Sequence, residues 1–334
     1  MKKITRRQFC TAALAGTALV LGGCAAASSA GTASSASASA SASGAASASA
    51  ASGSETAVVP ILTEAEYPVV DGSTACIPLM AEMLHETTGM DLTEAQSSIS
   101  VSTTGYAWEA LAVNYDASYA QSSPGLLIVY EAPAYIQQEI ADAGTQLEIT
   151  PIGRDALVFI VNDKNPVKSL TQQQLIDIYG GKITNWKDVG GEDAAIVAFQ
   201  RSEDSGSQTL FKKLLMKDNA LMAAPTQLAP AEMGDLVDSI ASYNNAGNAL
   251  GFSVYYYINQ MYSQPGLRLL GVDGVEPDAD TIADQSYPLC NAFYAVIRAD
   301  APEDSAARTL YRWICSDAGT ACIRKAGYIP AAQG

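Results

Sequence analysis

The chain has a single histidine, His85, in 334 residues, and no CxxC motif. A site built from several imidazoles or from paired thiolates has no material here, and a Ser-His-Asp triad has little. His85 falls on an amphipathic stretch and reads as structural. Cations are also scarce: 19 Lys and Arg stand against 35 Asp and Glu, for a formal net charge of −16. So acidic a chain argues against nucleic acid and anionic lipid surfaces as partners, since it repels their phosphates. It also excludes a simple electrostatic funnel for small anions, so any bound anion needs local donors. The apolar run at residues 12–20 is shorter than the roughly 20 residues a spanning helix needs.

That run has a basic start, Lys2, Lys3, Arg6 and Arg7, and is followed by LGGC at residues 21–24. The pattern resembles a bacterial lipobox, which makes Cys24 the site of lipidation and the first mature residue. The alternative is an ordinary small-residue cleavage region. TRRQF at residues 5–9 resembles a twin-arginine (Tat) export signal, with the Sec route as the alternative. Removing residues 1–23 takes the formal charge from −16 to −20. Residues 25–54 are almost wholly Ala, Ser and Gly, with no apolar stripe to bury. Such a segment is a tether with a mean span of about 30 Å. One Cys carrying more than one acyl chain gives stable anchoring. The expected organisation is therefore a signal peptide at 1–23, a lipidated Cys and tether at 24–56, and a globular remainder on the outer face of the cytoplasmic membrane. Four cysteines remain in that remainder, Cys76, Cys290, Cys315 and Cys322. Two disulfides and four free thiols are both compatible with export.

From about residue 67 onward, strand and helix patterns alternate. Residues 77–84 carry a helical apolar stripe, and residues 126–130 (LLIVY) and 156–161 are short continuous apolar runs suited to buried strands. Thr171 and Gln174 spell a capping box ahead of Leu175, Ile176 and Ile178. A strand at 196–199, a helix at 210–216, a strand-like aromatic run at 252–258 and a last helix at 305–315 follow. The alternation indicates an α/β fold with mostly parallel sheets.

Three stretches share one pattern, a strand end followed by small hydroxyl or Gly residues and a helix start. They are Asp71-Gly72-Ser73-Thr74, Ser102-Thr103-Thr104-Gly105 and the run from Arg201 to Thr209 (RSEDSGSQT). A helix start offers unpaired N–H groups and partial positive charge, hydroxyls add rotatable donors, and Gly permits close approach. Each stretch also has a plain reading as a helix cap, and Ser205 with Gln208 fits a capping box. Arg201 adds a planar fork suited to an oxyanion; its plain reading is a salt bridge with Glu203 or Asp204, and both roles can coexist.

Residues 152–162 (IGRDALVFIVN), 165–167 (NPV), 170–171 (LT) and 178–191 (IYGGKITNWKDVGG), then Gln200-Arg201, 205–209 (SGSQT), 248–253 (NALGFS) and 325–330 (KAGYIP), resemble the phosphate-binding lipoproteins of phosphate ABC transporters. The resemblance covers residues 60–332, in order. It implies a two-lobed periplasmic-binding-protein-like fold (type II), each lobe a mostly parallel sheet flanked by helices, hinged by two crossing strands near 156–162 and 251–257. Lobe 1 would be 57–161 with 252–334, and lobe 2 would be 162–251. It implies inorganic phosphate as ligand, ABC permease subunits as partners, a monomer attached to the membrane by its lipid, and neither cofactor, metal nor catalytic residue. Carried over by position, Ser73, Thr74, Arg201, Ser205, Gly206 and Ser207 match the phosphate-cradling residues. Thr103 and Thr104 match more loosely, because Tyr106 and Trp108 stand near a loop that is Gly- or Ser-rich in typical members. Glu131 falls where phosphate-specific members carry an Asp that accepts the proton of hydrogen phosphate, although a surface carboxylate is its plain reading. Two other functions share this scaffold: an enzyme such as a phosphatase, which would need a metal set or an activated nucleophile, and a surface sensor or adhesion protein without ligand.

Overall fold

The computed structural model describes residues 60–331, apart from 117, 119–121, 225–229, 231–232 and 243–245. The expected signal peptide, Cys24 and the tether lie outside the described residues. Among the described residues nine strands form: β1 Val70–Gly72, β2 Leu126–Val129, β3 Leu147–Asn162, β4 Ser169–Leu170, β5 Val197–Ala198, β6 Ala249–Val254, β7 Leu267–Val272, β8 Cys290–Arg298 and β9 Ile329–Pro330.

The organising element is β3, 16 residues long. Its first part pairs with β8, from Leu147 opposite Arg298 to Ala156 opposite Cys290. Its second part pairs with β6, from Leu157 opposite Val254 to Val161 opposite Leu250. One strand therefore belongs to two sheets, and the change of partner falls between Ala156 and Leu157. The sequence explains this: residues 155–162 are buried without alternation, as a strand covered on both faces must be. The first sheet runs β1-β2-β8-β3, and the second runs β3-β6-β5 with β7 also on β3. β3 changes partner at the edge of the expected 156–162 crossing, whereas β6 pairs only within the second sheet. By pairing alone, β7 sits with the second sheet, although the boundary expected near residue 252 puts it in the first lobe.

The sheets are mixed rather than mostly parallel. β1–β2, β4–β7 and β5–β6 are parallel, with helices in the β1–β2 and β5–β6 connections as parallel crossovers need. All pairings of β3, and that of β2 with β8, are antiparallel. Alternation of elements carries no information about the direction of strands that return late in the chain, and β8 is such a strand.

Helix Ile77–Thr88 forms where the apolar stripe places it and buries Leu79, Met80 and Met83. Helix Gln172–Tyr179 starts with the expected Thr171–Gln174 capping box. Helix Ala306–Ile314 is capped by Ser305, and helix Asp317–Lys325 follows. The 210–216 segment is helical but ends in a π-helical turn, Phe211–Met216. The strand-like run at 252–258 splits, with β6 ending at Val254 and a helical turn at Tyr257–Met261. Behind the second sheet, Phe211 stacks on Phe252 at 4.2 Å and Tyr179 meets Phe211 edge-on at 4.6 Å. Rings so arranged add about 0.5–1.5 kcal/mol per pair beyond burial. Cys76, Cys290, Cys315 and Cys322 are free thiols. Among the described residues no helix is long and apolar enough to cross a membrane.

Candidate functional site

The three hydroxyl-rich stretches meet at one cavity of about 230 Å³, lined by Ser73, Thr74, Thr103, Thr104, Arg201, Ser205, Gly206 and Ser207, with Tyr106, Tyr130, Ser202, Asp204, Met233 and Val254 completing the wall. Its size is below the roughly 300–1,000 Å³ of pockets that take drug-sized ligands. Ser73, Thr103 and Ser205 each stand at the N-cap of a short helical segment, yet none of the three spends its side chain on a cap bond. The capping box that Ser205 and Gln208 could spell is not made. Gln208 Oε1 instead accepts the Arg201 backbone N–H at 3.0 Å, holding the third stretch in its bend. At these three N-cap positions the side chain makes no cap bond, and the residues line the cavity.

The cavity hydroxyls pair among themselves. Ser73 Oγ lies 2.7 Å from Thr104 Oγ1, and Ser205 Oγ lies 3.0 Å from Ser207 Oγ. Ser73 Oγ also accepts the Tyr130 backbone N–H at 3.0 Å. Ser73, Thr104, Ser205 and Ser207 are buried, and Arg201 is only 8% exposed. Buried Asp71 ties the first two stretches together: Oδ1 accepts the Gly72 and Ser102 N–H groups at 2.7 and 2.8 Å, and the Ser102 hydroxyl donates to Oδ2. Thr103 holds φ at 76°, a region a β-branched residue enters only under constraint and one that clusters at ligand sites. Gly206 lies so close to the second stretch that a Cβ there would sit 2.5 Å from Thr104 Oγ1.

Asp204 bridges the third stretch to the elements opposite. Its carbonyl accepts the Gly105 N–H at 3.1 Å, and Tyr135 donates its hydroxyl to Oδ1. Partial burial, and then this bond, push the Tyr135 hydroxyl pKa up. Among the lining residues Arg201 is the one cation and Asp204 the one carboxylate. Asp204 lies in the third stretch and is also one of two salt-bridge candidates for Arg201. The other candidate, Glu203, turns to the surface and pairs with Lys212 at 2.5 Å.

Glu131 is not in this cavity. It pairs with Lys213 and lines a separate groove with Trp108, Gln137 and Tyr294. Consecutive extended residues point to opposite sides. Just past β2, Tyr130 takes the inward direction and Glu131 the outward one. Tyr130, which sequence reasoning missed, lines the cavity and donates its hydroxyl to Asp155 Oδ2 at 2.6 Å. Burial pushes the Asp155 carboxyl up to about 6, against the pull of the hydrogen bonds it accepts.

Elsewhere, Glu82, His85 and Glu86 are close enough to share an ion. Lys325 occupies that place, bonding Glu82 at 2.7 Å and also pairing with Glu86. His85 Nδ1 lies 2.6 Å from the Met90 carbonyl oxygen, the structural role expected of it.

The sequence and fold resemble those of known proteins. The PBP superfamily domain matches residues 31–318. The phosphate-binding protein PstS of Staphylococcus aureus (strain bovine RF122 / ET3-1) is 24% identical over 267 residues, covering 79% of this chain and 78% of its own. A Clostridium perfringens structure, assigned as a phosphate ABC transporter substrate-binding protein with bound phosphate, superimposes with a TM-score of 0.59 at 25% identity. It covers 78% of this chain and 98% of its own. An ABC-type phosphate transport receptor from Vibrio cholerae shares the fold, with a TM-score of 0.55 at 23% identity, covering 78% and 98% of the two chains. A family domain matched over most of the sequence, one strand shared by two sheets and a cavity at converging helix starts together identify the chain as a member of the PBP (periplasmic-binding-protein-like) superfamily, type II fold.

Proposed function

We propose that the chain is an exported solute-binding protein, anchored through Cys24, that takes inorganic phosphate in this cavity and delivers it to the permease subunits of an ABC transporter. It acts as a monomer and does no chemistry on the ligand. The observation that carries this reading is the convergence of four buried, cap-free hydroxyls, Ser73, Thr104, Ser205 and Ser207, with Arg201 on one small cavity. A dehydrated oxyanion needs donors on several sides, and hydroxyls with helix-start N–H groups supply them without excess positive charge. The Staphylococcus aureus phosphate-binding protein PstS and the phosphate-bound Clostridium perfringens protein support phosphate as the ligand.

We take residues 57–161 with 252–334 as one lobe and 162–251 as the other, and the pairing of β7 with β3 supports counting β7 with the second. Thr74, Thr103 and Gly206 line the same cavity. Asp204 takes the discriminating role assigned by resemblance to Glu131. Hydrogen phosphate carries a proton for a carboxylate to accept, and sulfate at neutral pH does not. A mismatch of this kind leaves a charged acceptor unpaired against an anion and can separate near-isosteres by orders of magnitude. Calorimetric titration of the purified chain with phosphate, arsenate and sulfate tests the reading. Phosphate and arsenate should bind and sulfate should not, and Asp204→Asn should narrow that gap. No heat with millimolar phosphate refutes the phosphate assignment while leaving the fold untouched.

A further inference from the structure

Asp155 lies in β3 immediately before the strand changes sheets, and it is 1% exposed. Its Oδ1 accepts the Ala156 N–H at 2.7 Å and the Tyr256 N–H at 3.1 Å, and its Oδ2 accepts the Tyr130 hydroxyl at 2.6 Å. These bonds join three pieces of chain: β3 at its crossing, the segment leaving β6, and the loop after β2. The last of these is a wall of the anion cavity, where the Tyr130 N–H holds Ser73 Oγ at 3.0 Å.

Among the described residues no cation pairs with this carboxylate. The titratable groups that face it are Tyr130, Tyr255, Tyr256, Cys76 and Cys290, each raised by burial and so neutral at pH 7. Arg154, next along the strand, reaches the Ala283 carbonyl instead. A buried acid of this kind disfavours its own ionised form, and burial raises the Asp155 carboxyl to about 6. An Asn could accept the same two N–H groups at no charge. What only the ionised form supplies is a second acceptor oxygen, which fixes the Tyr130 hydroxyl as a donor.

We propose that Asp155 is a positioning residue of the anion site: its ionised carboxylate holds Tyr130, and through Tyr130 the Ser73 hydroxyl, against β3 and the segment leaving β6, so anion affinity depends on a group that never touches the anion. This rests on the reading of the cavity as an anion site. Positioning and simple charge predict opposite signs. A carboxylate acting only through its field repels the anion, so neutralising it would tighten binding, whereas loss of positioning weakens binding.

The test is calorimetric titration of phosphate into wild type, Asp155→Asn and Tyr130→Phe between pH 5 and 8. At pH 7.5 both variants should bind about tenfold more weakly, the scale of one mis-set buried hydrogen bond, with melting temperatures of Asp155→Asn at or above wild type. The ratio of wild-type to Asp155→Asn affinity should fall towards one by pH 5, where the wild-type carboxyl is itself protonated. Phosphate's own proton equilibrium is common to both proteins and cancels in that ratio. Equal affinities throughout, or tighter binding by Asp155→Asn, overturn the proposal. If Asp155→Asn does not fold, Tyr130→Phe alone decides, since it keeps the carboxylate and removes the donor. If wild type gives no heat with phosphate, the ligand assignment fails, and amide hydrogen exchange of the ligand-free proteins decides the positioning role separately. Peptides containing Tyr130 and Tyr256 should then lose protection in Asp155→Asn at pH 7.5 and match wild type at pH 5; unchanged protection at pH 7.5 refutes it.

Discussion

Gly206→Ala puts the smallest possible side chain where the second and third stretches touch. Its Cβ would sit 2.5 Å from Thr104 Oγ1 and 3.3 Å from Thr104 Cβ. Thr104 is 3% exposed and cannot swing out to solvent, and its Oγ1 is 2.7 Å from Ser73 Oγ. Either Thr104 rotates and gives up Ser73, or the Arg201–Thr209 stretch backs away and widens the cavity. Overpacking of this kind costs about 1–3 kcal/mol, which as binding free energy is a loss of about 5- to 150-fold. Calorimetry on Gly206→Ala, Thr104→Ala and the double variant separates steric cause from general damage. Thr104→Ala removes the nearest atom, so the second substitution should cost at least about 1 kcal/mol less in that background. Wild-type affinity in Gly206→Ala, or an identical cost with and without the Thr104 side chain, would refute the reasoning.

Arg201→Lys replaces a planar fork by a point charge, and phosphate affinity should fall about 10- to 100-fold while the melting temperature stays within a few degrees. Glu131→Gln should leave phosphate affinity within about twofold, because the side chain pairs with Lys213 outside the cavity, and loss of that partly exposed pair should change stability by no more than about 1 kcal/mol. Asp155 gives a pH dependence of stability with a definite sign. Its carboxyl rises from 3.8 to about 6 on folding, so the folded state favours the protonated form. That contribution is fully present below about pH 4 and is lost as pH rises through about 6, for a change of about 3 kcal/mol. Urea midpoints should show wild type losing that much relative to Asp155→Asn between pH 4 and 7; a constant difference would contradict it.

The parts of the site that could be read from the sequence are those written locally. Arg201, Ser205 and Ser207 lie within seven consecutive positions, and their Gly and hydroxyl chemistry needs no knowledge of the rest of the chain. Ser73 and Thr104 were legible for the same reason, as small hydroxyls at helix starts. Glu131 stands outside the cavity because one residue past β2 faces the other way, and a single step along an extended chain reverses the side a residue faces. Asp204 drew less notice because a salt bridge to Arg201 and a place in the cavity wall look alike in sequence. Asp155 did leave a signal, a lone acid inside the apolar run at residues 152–162. A charge at such a position has to be satisfied by something, and its partners, Tyr130 and Tyr256, stand 25 and 101 residues away. The mixed sheet escaped for a related reason: strand order and direction are set by long-range return of the chain, which local patterns do not encode.

A crystal structure of the chain grown with phosphate tests the central claim most directly. The account predicts one anion in the 230 Å³ cavity, within hydrogen-bond reach of Arg201, Ser205 and Ser207 on one side and Ser73 and Thr104 on the other, with Asp204 at one of its oxygens. An empty cavity at saturating phosphate, or an anion held elsewhere on the molecule, would contradict it.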